Sequence, residues 1–279
     1  MREGMTIYDI AKVAGVSPST VSRVINGKPN VKKATKNRVL SVLKEYNYVP
    51  NETARGLVMQ SSRMVGIFIS DIRTTHHTDG IFYIQTELSK RGYTCLIYNT
   101  GAEEENQGHY IQLLSQRKVE AAILMGSVYQ TEPIRKAVQT YLSTTPIFIC
   151  NGYLDEPNIY GLIADEQNGV CDCVQLLAQK GRKHLAFVVD HYTPSNRLKQ
   201  NGFEIGVLQF CDRNQAQVVV TGGSVQNIYD ATCKLLKEHP ETDGIIFSED
   251  FLAAIGLRAL HSMNLPVPKR VAVIGINNS

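Results

Sequence analysis

From Met64 to Ile276 the chain alternates short apolar runs with amphipathic segments, and this alternation narrows the possible folds most. The apolar runs lie at 65–69, 94–98, 120–125, 146–150, 184–189, 244–247 and 271–276, with weaker ones at 160–164 and 217–220. Segments of helical length lie between most of them, at 81–91, 104–117, 166–180, 197–210, 225–238 and 251–262. This repeat predicts parallel sheets covered by helices, and the number of runs fits two doubly wound units better than one.

In doubly wound sheets, ligands bind where the carboxyl ends of the strands face a crevice. The sequence therefore predicts a body of two α/β units with a ligand site in the cleft between them.

The first fifty residues carry a different pattern, rich in helix signals. Thr6 and Asp9 have the spacing of a capping box, and the apolar residues that follow recur at helical spacing until Gly15. Ser17 and Pro18 form the start of a second helix that ends at 26–27. A third helix is predicted to turn four apolar side chains inward, namely Val39, Leu40, Val42 and Leu43.

The charge is divided unevenly along the chain. Residues 1–60 hold ten Lys and Arg against four Asp and Glu, whereas the remainder holds 19 against 22. A basic head on a mildly acidic body is typical of a head that binds a polyanion, although a solvated basic face remains an alternative.

The short spacing of the first two helices is typical of a helix-turn-helix, whose second helix enters the major groove of DNA. The exposed candidates there are Ser17, Pro18, Ser19, Ser22 and Arg23. Of these, Arg23 has the planar donors for a bidentate contact to a guanine edge. The alternative is a structural three-helix bundle with a solvated arginine.

Two segments, TIYDIAKVAGVSPSTVSRVINGKPNV and YVPNETARGL, closely resemble the DNA-binding headpiece and hinge of the LacI/GalR family of bacterial transcriptional regulators. The rest of the chain resembles the periplasmic-binding-protein-like effector domain of that family. The resemblance implies phosphate contacts by Thr6, Ser17, Thr20, Ser22 and Asn26, with Tyr8 also touching the DNA backbone. It places base contacts at Pro18, Ser19 and Arg23.

The resemblance also implies a hinge helix that contains Asn51, Ala54 and Leu57. In a dimer, Leu57 would wedge between base pairs in the minor groove, a contact that kinks DNA. The alternative for Leu57 is packing against the body.

For the effector site, the resemblance points to His76, His77, Asn151, Lys199, Glu249 with Asp250, and Asn277. The polar cleft predicted from them also includes Asp79. Several depart from the common family pattern, which has Arg where Lys199 lies, Asn at 249, Asp at 277 and aromatic residues at 76 and 77. Lysine offers a point charge on a flexible stem rather than a planar fork. The predicted effector is a sugar, a sugar derivative or another hydroxylated metabolite, and each residue singly retains the alternative of a surface or loop role.

The predicted organisation has four parts. These are a helix-turn-helix headpiece at 1–50, a hinge helix and linker at 51–63, an N-subdomain at 64–160 and a C-subdomain at 161–279. Family members normally continue with a crossover that completes the first subdomain, so the C-subdomain is expected to be truncated.

Several classes of protein are excluded or disfavoured. No run approaches the roughly 18 to 20 apolar residues of a spanning helix, and no apolar export segment follows Arg2, so a cytoplasmic protein without a membrane partner is expected. The six cysteines form no CxxC pair, and we expect them to be reduced. We predict no metal, no cofactor and no enzymatic activity, because no nucleotide, hydrolase or metal motif occurs.

The prediction is a homodimeric transcriptional repressor that binds a pseudo-palindromic operator in double-stranded DNA and responds to a small effector. A periplasmic-type binding protein with an incidental basic head, and an enzyme on a doubly wound body, are the alternatives.

Overall fold

A computed structural model of the chain describes residues 5–48, 61–211 and 216–277, apart from the side chain of His76. The chain divides into two compact units, Met1–Ser62 and Arg63–Ser279. We refer to them as the headpiece and the body.

The headpiece contains three helices: α1 (Ile7–Ala14), α2 (Pro18–Ile25) and α3 (Lys33–Glu45). The predicted capping box is confirmed, since Thr6 and Asp9 exchange side-chain and backbone hydrogen bonds at the start of α1. Gly15 ends α1 in the left-handed conformation that favours glycine. The helices pack around a small apolar core formed by Ile10, Ala11, Ala14, Val21, Val24, Val39 and Val42.

The first half of the body is a five-stranded parallel sheet in the order β2-β1-β3-β4-β5. Its strands are β1 (Met64–Ile69), β2 (Thr94–Asn99), β3 (Ala121–Met125), β4 (Ile147–Cys150) and β5 (Ile159–Leu162). The helices that connect them are α4 (Thr75–Lys90), α5 (Glu104–Gln116) and α6 (Glu132–Tyr141), with a 3₁₀ turn at Ser127–Tyr129. Buried aromatic and aliphatic side chains, Phe68 and Tyr129 among them, fill one face of this sheet.

The second half is a four-stranded parallel sheet in the order β7-β6-β8-β9. Its strands are β6 (Leu185–Val189), β7 (Gln217–Val220), β8 (Gly244–Phe247) and β9 (Ala272–Gly275). Helices α7 (Glu166–Gln179) and α8 (Pro194–Phe210) belong to one apolar cluster, and α9 (Val225–Glu238) and α10 (Asp250–Ser262) to another. The predicted architecture of a helical headpiece and two parallel sheets is confirmed.

Some predicted details were wrong. Helix α4 begins at Thr75 rather than near 81, and α8 begins at Pro194 rather than 197, because polar first turns hide helical periodicity. Helix α6 was not predicted. Leu40 was predicted to face the core but is 45% exposed. Helix α3 contacts the core through a narrow apolar stripe that includes Val39 and Val42, and Leu40 lies outside it. Strand β5 pairs with β4, so the first sheet extends two residues past the boundary predicted at 160.

None of the six cysteines, all of which the structure describes, is in a disulfide bond. Within the described ranges, no helix is long and apolar enough to cross a membrane.

Candidate DNA interface and effector site

Helix α2 separates a buried face from an exposed polar face. Val21 and Val24 are buried in the headpiece core, whereas Ser19 and Arg23 are exposed. Both exposed residues lie in the first two turns, which is the part of a recognition helix that contacts base edges. The geometry therefore leaves a short hydroxyl side chain and a guanidinium available on one surface.

The start of α2 is fixed by side-chain hydrogen bonds. Ser17 is the N-cap, and its Oγ accepts a hydrogen bond from the backbone N of Thr20 at 3.3 Å. The same Oγ lies 2.8 Å from Ser19 Oγ and 2.9 Å from Thr20 Oγ1. Pro18 occupies the first helical position, where the missing N–H costs no hydrogen bond. Three hydroxyl groups are thus held together at the amino end of the helix.

The other headpiece candidates lie around this helix. Tyr8 is 71% exposed in α1, so its phenol is available for a contact. Hydrogen bonds from Thr6 hold the pKa of the Asp9 carboxyl below its usual value. Asn26 ends α2 and donates from Nδ2 to the carbonyl oxygen of Ser22 at 2.9 Å. The hinge candidates Asn51, Ala54 and Leu57 lie outside the described residues.

In the body, one hydrogen bond joins the carboxyl ends of the two sheets. Ser127 follows β3 of the first sheet, and Ser195 lies in the first turn of α8, which follows β6 of the second. The backbone N of Ser195 donates to Ser127 Oγ at 3.1 Å. The strand ends of the two sheets therefore face each other, as doubly wound units with a ligand cleft require. We call the residues at these facing ends the strand-end site.

A buried ion pair lies at the second sheet's side of the strand-end site. Lys199 Nζ donates to the carbonyl oxygen of Ser248 at 3.0 Å and lies 3.5 Å from Glu166 Oε1. Both charged side chains are at least nine-tenths buried. Ser195 Oγ donates to the same Glu166 Oε1 at 2.6 Å. A buried ammonium is tolerated only when it is paired and hydrogen-bonded, and these contacts meet that need.

A second charged group follows β6. Asp190 Oδ2 lies 2.8 Å from His191 Nδ1, and Asp190 Oδ1 accepts from the backbone N of His191. Burial raises the pKa of Asp190, but the hydrogen bonds and charge of His191 outweigh it, so the net pKa is lowered. The hydrogen bond to Asp190 raises the pKa of His191, with burial opposing.

Glu249 ends the loop after β8 and is the N-cap residue of α10. Burial raises the pKa of its carboxyl, and the Asp190 carboxylate adds to the rise, whereas Lys199 and His191 oppose it. Of the predicted effector residues, Lys199 is therefore close enough to act on the carboxyl of Glu249.

The other predicted effector residues lie at different strand ends. His77 lies in the first turn of α4, where its ring approaches Gly126 at the end of β3. Asn151 follows β4 with a left-handed φ of 60°, and its Oδ1 accepts from the backbone N of Ala164. Asn277 follows β9 with an exposed side chain, and Asp79 is exposed on α4. His76 is in α4, and its side chain lies outside the description.

Sequence reasoning missed four polar residues of the strand-end site: Glu166, Asp190, Ser195 and Ser127. Asp190 directly follows a fully buried strand, so the rule that ligands bind at strand ends was sufficient to find it. The partnership of Glu166 with Lys199 joins residues 33 positions apart on two helices, and no local pattern signals it. In the described part of the chain, no group of three or more His, Cys, Asp and Glu side chains is placed to hold a metal ion.

Two family models match the chain. Residues 6–51 match the model described as bacterial regulatory proteins, lacI family, and residues 174–279 match the periplasmic binding protein-like domain. An HTH-type transcriptional regulator of Lachnoclostridium phytofermentans is 32% identical across 99% of this chain and 84% of its own length. The ribose operon repressor of Halalkalibacterium halodurans is 31% identical, with 98% and 80% covered.

Solved structures share the fold. The lac repressor dimer bound to operator and an anti-inducer superimposes with a TM-score of 0.85 at 23% identity, covering 99% of this chain and 83% of that one. The headpiece and the body both match regulators of one family, and the matches cover nearly the whole chain. The two alternatives that the sequence left open, a periplasmic binding protein and an enzyme, are therefore rejected. The chain belongs to the lacI family of bacterial regulatory proteins, and it is a DNA-binding transcriptional regulator rather than an enzyme.

Proposed function

We propose that this regulator is a homodimeric repressor that binds a pseudo-palindromic operator and changes its operator affinity when a small hydroxylated metabolite, a sugar or a sugar derivative, occupies the strand-end site. The observation that carries the DNA part is the exposed polar face of α2, with Ser19 and Arg23 outward and Val21 and Val24 in the core. Named relatives include the ribose operon repressor and a sucrose operon repressor, which supports a sugar-like effector.

In this proposal, the amino end of α2 lies in the major groove. Pro18, Ser19 and Arg23 contact bases, while Thr6, Tyr8, Ser17, Thr20, Ser22 and Asn26 contact the sugar–phosphate backbone. Asn51, Ala54 and Leu57 form the hinge that enters the minor groove. Base contacts specify the sequence, whereas backbone contacts set position and affinity.

The homodimer is supported by an exposed aromatic pair on α4. Phe82 and Tyr83 are 62% and 69% exposed, and their rings meet edge to face at 5.4 Å. Two large adjacent apolar side chains on a helix surface are typical of a protein–protein contact. A second copy of this chain that buries them would also present two α2 helices to two operator half-sites.

The effector part rests on the opposed strand ends. We propose that His76, His77, Asp79, Asn151, Glu249 and Asn277 line the site, and that Lys199 forms its back wall. Binding would change the relation between the two sheets, which Ser195 and Ser127 already join by a hydrogen bond. An effector shifts operator affinity only by its differential affinity for the two states, so the same site serves an inducer or a corepressor.

Fluorescence anisotropy with a duplex chosen by the protein from a random pool tests the DNA part. We expect Arg23→Ala to weaken binding by about 1 to 3 kcal/mol and to relax the preference at one base pair of each half-site. The matched control is Arg38→Ala, which removes an exposed arginine from α3 and should change affinity without changing the preferred sequence. An unchanged sequence preference in Arg23→Ala would contradict the proposal.

A further inference from the structure

We propose that Glu166 is a specificity-determining residue that neutralises Lys199, so that the strand-end site disfavours anionic ligands and takes a hydroxylated effector without net negative charge. The inference rests on the proposed function in one respect, namely that this site binds the effector. The inference concerns the net charge of the ligand, which the fold alone does not determine.

The first step is that the charge of Lys199 is satisfied inside the protein. Its side chain is 4% exposed, and Nζ donates to the carbonyl oxygen of Ser248 at 3.0 Å. Glu166 Oε1 lies 3.5 Å from the same nitrogen. Transferring an unpaired ammonium into the interior is costly, so this pairing accounts for how the lysine remains buried. Its charge is therefore compensated before any ligand arrives.

The second step is that Glu166 is held against Lys199 by independent contacts. Asp165 is the N-cap of α7, so Glu166 is the first residue of that helix. Ser195 in α8 donates from Oγ to Glu166 Oε1 at 2.6 Å. Gly202 in α8 packs against the backbone of Gln167, which lets the two helices approach closely. The carboxylate is thus fixed by both helices and does not depend on the lysine for its position.

The third step is that one oxygen of Glu166 still lacks a partner. Oε2 is buried without a hydrogen-bond partner, and so is Oγ of Ser248, the residue whose carbonyl oxygen accepts from Lys199 Nζ. A buried carboxylate oxygen with an open acceptor position is satisfied by a hydroxyl or ammonium donor and repels another anion. The open acceptor position of Glu166 therefore favours a ligand that brings donors, whereas the hydroxyl of Ser248 can donate or accept.

The fourth step concerns the other charges nearby. Asp190, Glu249 and Asp250 follow β6 and β8, and the raised pKa of His191 leaves that imidazole paired with Asp190. Arg73, after β1, pairs with Asp71, and Arg197 stacks over the Tyr192 ring at 4.8 Å. The cations named here are engaged, and carboxylates outnumber them, so a phosphate or carboxylate group meets net repulsion.

Inorganic phosphate is the probe for this inference, because it is a small anion that would pair with Lys199 if the charge of the lysine were available. Isothermal titration of the wild-type protein, at ionic strength held constant with chloride, should show no saturable binding that depends on Lys199. Glu166→Gln keeps the shape and the hydrogen-bond acceptor but removes the charge. We expect this variant to gain saturable phosphate binding, at least about tenfold tighter than any residual binding by wild type, since one charge-assisted contact becomes available.

Three controls assign the gain to the pair. Adding Lys199→Met to Glu166→Gln should abolish the gain, Glu166→Asp should behave as wild type, and Glu238→Gln, which removes a carboxylate at the end of α9, should have no effect. Saturable phosphate binding by the wild type that Lys199→Met removes would overturn the inference without any need for a folded Glu166→Gln variant. A folded Glu166→Gln variant with no gain would overturn it equally.

The phosphate titration requires no DNA, so its failure and the failure of the proposed function are distinguishable. If the protein selected an operator as proposed but the wild type showed Lys199-dependent phosphate binding, only the inference that the site disfavours anionic ligands would be refuted. Absence of operator selection with the expected phosphate results would refute only the DNA-binding proposal.

Discussion

Replacing Gly202 by alanine tests whether the close approach of α7 and α8 builds the strand-end site. A Cβ at position 202 would lie 2.8 Å from the carbonyl carbon of Gln167 and 3.0 Å from its Cα, and closer still to its carbonyl oxygen. Side-chain Cβ atoms do not approach backbone this closely, and backbone atoms yield less readily than the end of a flexible side chain. The two helices would have to part.

The expected cost follows from two opposing terms. Overpacking a well-packed contact costs about 1 to 3 kcal/mol, whereas alanine in a helix interior is favoured over glycine by about 0.5 to 1 kcal/mol. We therefore expect Gly202→Ala to lower the free energy of unfolding of the body by about 1 to 2 kcal/mol. Urea unfolding followed by circular dichroism measures the change.

Gly169→Ala in α7 is the matched control, because a Cβ there meets no atom within 4 Å. It should raise the free energy of unfolding by about 0.5 to 1 kcal/mol. If Gly202→Ala proved as stable as Gly169→Ala, the helices would not be held at the distance that we infer, and the fixed position of Glu166 beside Lys199 would lose its support.

Three further predictions follow from single contacts. Thr6→Ala removes the capping box of α1 and should lower the free energy of unfolding of the headpiece by about 1 kcal/mol, measured by thermal denaturation. Ser127→Ala removes the acceptor of the Ser195 backbone N–H and should cost the body about 0.5 to 1.5 kcal/mol in urea unfolding; no change would mean that the bond between the sheets is not formed in solution. His191 should titrate above 6.5 in an NMR experiment, and its stabilising contribution, complete below 6.5, should be lost as pH rises through its folded pKa. Asp190→Asn should return the midpoint toward 6.5 and reduce that pH dependence, with the smaller effect of Glu249 remaining; an unchanged midpoint would show that Asp190 is not its partner.

Local signals in the sequence were sufficient for most of the fold. The capping box of Thr6 and Asp9, the stop at Gly15 and the start at Ser17–Pro18 are decided within a few residues, so they are visible without tertiary context. The buried strands can also be predicted from local sequence, because a strand such as β6 is apolar throughout its length. Helix α6 was not predicted because its apolar face is short and lies between polar residues.

The strand-end site was predictable only in part. Lys199 and Glu249 were predicted because the family resemblance places effector contacts at their positions. Glu249 also follows the end of strand β8. Glu166 was missed because its importance comes from a contact with Lys199 on another helix, and Gly202 sets the separation of those helices. Pairings of this kind depend on packing between elements, which single-sequence patterns do not encode.

Selection of duplexes from a random DNA pool by the purified chain, followed by sequencing, tests the central claim most directly. We expect an enriched inverted repeat whose half-sites share a base pair that Arg23→Ala no longer selects. Because the proposed headpiece contacts include phosphates, we expect retention also to fall steeply as salt rises. If neither the wild-type chain nor a fusion to a dimerising domain enriched any sequence, the proposal that α2 reads DNA would be contradicted.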